Sequence, residues 1–215
     1  MMAHTYVEDA KKSWGNNMKE KLKWFFESFI WLFVLGLVID IVSKVIVKVN
    51  MVENIDQIVL IPNFLKITFV YNEKAAFGMG FASAEVNKWI YIVVALLASA
   101  AILFFYIRNY RKYGKFLKAC LMCILVGAIG NLLDRFIYGK VVDFIDFFGI
   151  WNAIFNVADS FVVVGTIMLI VYLIVQEVKD YKAKKAEEPQ VEGKVLSKTE
   201  QEKMQREKEI DKVDN

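Results

Sequence analysis

Histidine is nearly missing from this chain: the single one, His4, stands in a charged leader before the first long apolar run. That removes Ser–His and Cys–His nucleophile–base pairs, and histidine-bound zinc, from any site beyond the apolar segments. Cysteine is scarce too. Cys120 and Cys123 form a C-x-x-C with no second pair to complete a metal site. They fall one helical turn apart inside an apolar run, so packing is their expected role. No glycine-rich phosphate loop is present, and no nucleic-acid partner is expected. Ser43 and Lys44 are sequence neighbours, which face apart on a helix and make a poor Ser–Lys dyad. What remains for chemistry is the carboxylate: of two aspartates near a membrane surface, one can act as base on water and one as acid.

Apolar residues, by contrast, are in excess, at 57% of 215, and they come in blocks. Four blocks reach bilayer length: about Trp24 to Val47, Trp89 to Ile107, Phe116 to Leu133 and Ile154 to Val175. At about 1.5 Å of rise per residue, each can cross roughly 30 Å of hydrocarbon. Lysine and arginine collect between them. Lys11, Lys12, Lys19, Lys21 and Lys23 precede the first block, Arg108, Arg111, Lys112, Lys115 and Lys118 link the second to the third, and Lys179, Lys182, Lys184 and Lys185 follow the fourth. The excess of positive charge on inner loops then puts both termini in the cytoplasm and the loops 48–88 and 134–153 outside. The first apolar run is too long for a signal-peptide core and no small-residue cleavage site follows it, so the first span is expected to stay as an anchor.

The expected fold is an all-α membrane protein: four transmembrane helices, a small outer-surface β element and an interfacial segment. The β element is DQIVLIPNFLKITFVYN, residues 56–72, rich in Ile, Val, Phe and Thr and read as two short strands or a hairpin around a turn at Pro62–Asn63. Gly78 and Gly80 break regular structure after it. The aromatics of VVDFIDFFGIWNAIF suit an interfacial segment. In domain terms the chain divides into a cytoplasmic leader, 1–23, a four-helix unit, 24–176, and a charged cytoplasmic tail, 177–215, read as solvated and partly helical or disordered.

The charges inside the spans share one layer. Asp40 lies sixteen residues past Trp24, about 24 Å along the helix and near its outer end. Lys44 follows on the same face and can pair with it. Asp134 and Arg135 close the third span, and Asp159 opens the fourth with no basic residue within a helical turn. Asn131 and Asn156 sit at similar depths, and Asp143 lies in the short outer link between these spans. Ionisable groups placed this way are costly and tend to mark function. A proton-coupled transporter would use the same carboxylates, but its relay belongs near the bilayer midplane and inner side, away from this layer.

Four motifs in order carry a family likeness: Asp40 and Lys44 in VIDIVSK, Asn72 to Gly78 in NEKAAFG, Gly130 to Arg135 in GNLLDR followed by VVDFID, and Phe155 to Ser160 in FNVADS. With them, residues 33 to 175 resemble the signal peptidase II family, the membrane aspartic peptidases that process lipoproteins. Lys74 stands where that family usually has glycine. The resemblance implies Asp143 and Asp159 as the catalytic pair, supported by Asp40, Lys44, Asn72, Gly130, Asn131, Asp134, Arg135 and Asn156, without metal or cofactor. The implied substrate is a diacylglyceryl-modified prolipoprotein, cut on the amino side of its lipidated cysteine at the outer face of the bacterial cell membrane. A monomer surrounded by membrane lipid is expected.

Overall fold

The computed structural model describes residues 17–73, 83–148 and 153–213. Lys74, the glycines Gly78 and Gly80, Trp151 and the leader up to residue 16 lie outside the described residues. Two compact units follow one another along the chain, Met1–Leu169 and Ile170–Asn215. Helix α1 occupies 17–27. It is followed by α2 (Ile30–Asn50), β1 (Gln57–Ile61), β2 (Leu65–Asn72), α3 (Ala84–Arg108), α4 (Lys115–Tyr138), β3 (Val141–Asp146), β4 (Ile154–Phe155) and α5 (Val157–Val213).

Four of these helices are long and apolar enough to cross a membrane: Ile30–Asn50, Glu85–Arg108, Lys115–Tyr138 and Val157–Lys185. The chain is a multi-pass membrane protein. Half of the apolar window of α4 is buried, against 11 to 22% in the other three, so α4 is the helix that the others pack around. Side chains such as Val34, Val38, Leu97, Phe104 and Ile167 are exposed along α2, α3 and α5, as lipid-facing surfaces require.

The first span starts later than its apolar run. Ser28 and Phe29 break the helix, Phe29 adopting the left-handed conformation (φ 56°, ψ 16°). The Ser28 hydroxyl donates to the Phe25 carbonyl at 2.8 Å, and the Tyr106 hydroxyl donates to the Ser28 carbonyl. The expected start at Trp24 therefore moves to Ile30. Asp40 then stands ten residues from either end of α2, mid-helix rather than near its outer end. The turns beyond it hold up the sheet: Val47 and Met51 pack with Phe69, Val142 and Phe144.

The sheet is antiparallel throughout, in the order β1-β2-β3-β4. Its hairpin is the β element expected from the sequence. Asn63 takes the left-handed position of the turn (φ 57°), a conformation asparagine tolerates, and Phe64 N donates to Ile61 O at 3.1 Å. Residues 141–146, expected in an interfacial segment, form the central strand β3 instead. Val141 to Phe144 are all buried, because the strand has neighbours on both edges and cover on both faces. A register shift between Ile67 and Val70 places a bulge in β2 just before the residue paired with Asp143. Gly139 (φ 76°) turns the end of α4 directly into β3. The charged segment 177–213, expected to be partly helical or disordered, continues helix α5.

Candidate active site

Asp143 owes its position to sheet register. Val70 is its partner on β2, and Asn72 pairs with Val141 one diagonal step away on the same face. From there Asn72 Nδ2 donates to Asp143 Oδ2 at 2.8 Å. On the other side, Ile145 pairs with Phe155 of β4, which delivers Asn156 to the start of α5. Asn156 Nδ2 donates to Asp143 Oδ1 at 2.7 Å. Asp143 is 2% exposed. Burial, reinforced by the nearby charge of Asp159, raises its carboxyl from the ordinary 3.8 to about 7, against the pull of Asn72 and Asn156.

Asp159 is placed by helix capping. Asn156 is the N-cap of α5: its Oδ1 accepts the Asp159 N–H at 2.9 Å, and Asp159 Oδ2 accepts the Asn156 N–H at 3.1 Å. This reciprocal pair is a capping box, with Asp159 in the place usually held by glutamate. The spacing N-x-x-D is what the sequence needs to build it. Asp159 Oδ1 accepts Asn131 Nδ2 at 2.7 Å. Each oxygen of both carboxylates thus takes a neutral N–H donor, and lone pairs remain for a water and a proton.

Behind the pair sits a buried ionic triad. Lys44 Nζ lies 2.8 Å from Asp40 Oδ2 and 3.1 Å from Asp134 Oδ2, with Asp40 and Lys44 0 and 3% exposed. Asp40 Oδ1 accepts the Ala158 N–H at 2.8 Å, satisfying another orphan donor in the first turn of α5. Asp134 Oδ2 accepts Val142 N–H at 3.1 Å and so ties α4 to β3. Lys44 also donates to Asn131 Oδ1 at 3.3 Å, which accepts Asn156 Nδ2 at 3.0 Å as well. With its oxygen held by two donors, Asn131 must turn its amide N–H₂ toward Asp159. Gly130 permits the crossing of α2, α4 and α5: a Cβ there would lie 2.6 Å from Asp40 Oδ2 and 3.0 Å from the Ala158 Cβ.

The structure brings Asp40, Lys44, Asn72, Gly130, Asn131, Asp134, Asp143, Asn156 and Asp159 into one connected cluster. Arg135 borders it. Its guanidinium lies 5.3 Å from the centre of the Tyr91 ring, and Nη1 donates to Asn131 O at 3.4 Å. Tyr91 has no motif around it and was not legible as a neighbour of the site. Asp146 pairs with Lys66 at 3.2 Å across β2 and β3.

A bundle of membrane helices with a small sheet at one end, holding two amide-bridged aspartates where sheet and helix ends meet, defines a polytopic membrane protein with a paired-carboxylate site. Comparison with known proteins agrees. The family profile of Signal peptidase (SPase) II matches residues 32–175. The lipoprotein signal peptidase of Clostridioides difficile is 41% identical over 151 residues, covering 70% of this chain and 97% of that protein. That of Fusobacterium nucleatum is 35% identical over 66 and 84%, and that of Pseudomonas putida 35% over 75 and 91%. Two solved bacterial membrane enzymes superpose with TM-scores of 0.62 and 0.58 at 30 and 32% identity. They cover 69 and 67% of this chain and 88 and 90% of their own. The chain belongs to the signal peptidase II family, and it is a membrane peptidase.

Proposed function

We propose that this protein removes signal peptides from diacylglyceryl-modified bacterial prolipoproteins, with Asp143 and Asp159 as an acid–base pair. The observation that carries this reading is the Asn156 bridge. One residue caps α5, holds Asp159 and donates to Asp143, so the two carboxylates are kept at fixed positions beside each other. Two carboxylates so placed do not both ionise cheaply, and the elevated Asp143 supports a proton retained near neutral pH.

The steps balance on two protons. The ionised aspartate takes a proton from water as the oxygen attacks the scissile carbonyl, while the protonated aspartate gives its proton to the carbonyl oxygen. The tetrahedral diol then collapses. The first carboxyl passes its new proton to the leaving nitrogen, and the second recovers a proton from the diol hydroxyl as the carbonyl re-forms, which resets the pair. Asn72, Asn131 and Asn156 hold the carboxylates with neutral donors. Lys44 fixes Asn131, Asp40 holds the first turn of α5, and Asp134 ties α4 to β3.

Cleavage is on the amino side of the lipidated cysteine, at the outer face of the cell membrane, by a monomer with both termini in the cytoplasm. The lysine clusters support the orientation. The place of Asp143 and Asp159 at the ends of the third and fourth spans supports the cut, since a peptide tethered by a diacylglyceryl group keeps its backbone near the headgroups. The deciding experiment incubates purified protein with prolipoprotein carrying or lacking diacylglycerol. Release of the signal peptide from the lipidated form alone is expected; no release, or equal cleavage of both forms, would overturn the reading.

A further inference from the structure

At the end of the bundle opposite the sheet, α1 (17–27) carries a feature that the peptidase reading leaves unused; the family profile begins only at residue 32. Met18, Leu22, Phe25 and Phe26 recur at i, i+4, i+7 and i+8, the spacing of a helical apolar stripe. Three of them face away from the protein: Met18, Leu22 and Phe26 are 50, 57 and 55% exposed. Glu20, Lys23 and Glu27 occupy the other side of the wheel, with Lys19 and Lys21 at the two margins.

The helix is also set off from the span. The left-handed Phe29, the Ser28 hydroxyl on the Phe25 carbonyl and the Tyr106 hydroxyl on the Ser28 carbonyl fix a break in place of a straight continuation. The Trp24 and Tyr110 rings lie 6.3 Å apart, tilted by 46°, which sets α1 beside the loop between α3 and α4. That loop carries Arg111 and Lys112, and the helix ends that flank it carry Arg108 and Lys115.

We propose that α1 is an interfacial anchor whose apolar stripe enters the bilayer surface and whose lysines, with the neighbouring basic loop, bind anionic phospholipid headgroups. Two observations select this occupant over a protein partner. An exposed apolar stripe at the foot of a membrane span meets the acyl–headgroup boundary. The cations around it, Lys19, Lys21 and Lys23 beside Arg111 and Lys112, complement a negative lipid surface and would repel a second copy of themselves.

The test places single spin-labelled cysteines at Met18, Glu20 and Leu22 in the full chain, reconstituted in phosphatidylcholine bilayers with or without phosphatidylglycerol. Cys120 and Cys123 are 0 and 6% exposed, so the introduced thiol is the one that reacts. Labels at 18 and 22 should be more accessible to oxygen than to a water-soluble nickel chelate, and the label at 20 the reverse. The contrast should deepen with phosphatidylglycerol, and K19E/K21E/K23E should abolish that dependence. Uniform access to the chelate would overturn the anchor. A contrast indifferent to lipid charge would overturn the headgroup assignment, and dipolar broadening between labels would show a second copy on the stripe instead. Peptidase activity of each labelled protein, measured alongside, separates a misfolded sample from a failed proposal.

Discussion

Replacing Asn72 by alanine removes one of the two amide donors on Asp143 and leaves the other, Asn156, in place. The bond at 2.8 Å is made to a 2% exposed carboxyl, where water is a poor substitute. Hydrogen bonds to charged groups are worth about 1.5–3 kcal/mol, and roughly half that when the acceptor is neutral. The ionised form of Asp143 therefore loses about 1 kcal/mol more than the protonated form. At about 1.4 kcal/mol per pH unit, the carboxyl that already sits near 7 should rise by a little under one unit.

The sign does not depend on the role of Asp143. If its protonated form is needed, the alkaline limb of the pH–rate profile moves up; if its ionised form is needed, the acid limb does. The assay is kcat/KM against pH for a lipidated peptide substrate in proteoliposomes. Asn50→Ala serves as control, since Asn50 is exposed and bonds its own helix at Ile46. A profile that keeps both limbs, or moves one down, would refute the assignment of Asn72 as the partner that sets the Asp143 carboxyl.

The remaining predictions bear on the pair and its supports. Asp143→Asn and Asp159→Asn should each abolish turnover in protein that still inserts and binds substrate, and the double variant should be no worse than either; near-normal kcat in one would remove that residue from the mechanism. Asp146→Asn should keep turnover and cost about 1 kcal/mol or less in stability, because it breaks a partly exposed pair with Lys66. Gly130→Ala should destabilise by about 1–3 kcal/mol and lower kcat, since the added carbon falls on Asp40, which has no room to retreat; unchanged melting and kinetics would show that the helix crossing is loose. Truncation after Lys185 should leave cleavage largely intact, as the site is built entirely from residues before 170; a large loss in properly inserted protein would give the tail a role.

Features set by local spacing were legible in the sequence. Four apolar runs became four helices, Pro62–Asn63 became a hairpin turn, and Asp40 and Lys44 met at i+4 because a helix brings them together. The break at Ser28–Phe29 was not legible. It contains neither glycine nor proline, and it is held by a tyrosine from another helix. Strand β3 was missed because VVDFID is buried on both faces and so lacks the alternation that marks a strand at the surface. The pairing of Lys44 with Asp134, and of Lys66 with Asp146, joins elements far apart in the chain, which no spacing rule reaches. For the site, composition narrowed the chemistry to aspartate, and Asp159 stood out through its lack of a nearby cation. Asp143 was the nearest aspartate across the short outer link, and its role in the pair came from the family motif. Only the register of β2, β3 and β4 shows how it comes to share Asn156 with Asp159.

That shared residue also separates the two carboxyls by environment, and so yields one more prediction. Asp159 lies in the first turn of α5 and accepts a backbone N–H there, where the helix N-terminus offsets part of the cost of burying a negative charge. Asp143 lies in a central strand, where strand dipoles largely cancel, and burial raises it to about 7. Catalytic pairs work when their surroundings push the two carboxyls apart. On this argument Asp143 starts the cycle protonated and polarises the carbonyl, while Asp159 starts ionised and takes the proton from water. Activity should then fall as pH rises through about 7, where Asp143 gives up its proton. In Asn72→Ala it is this alkaline limb, and not the acid one, that should move upward. Solvent-exchange infrared spectroscopy offers a second reading. Near pH 6 the carboxylic-acid C=O band should vanish in Asp143→Asn and persist in Asp159→Asn. If the band is lost from Asp159→Asn instead, or the acid limb moves in Asn72→Ala, the two roles are exchanged.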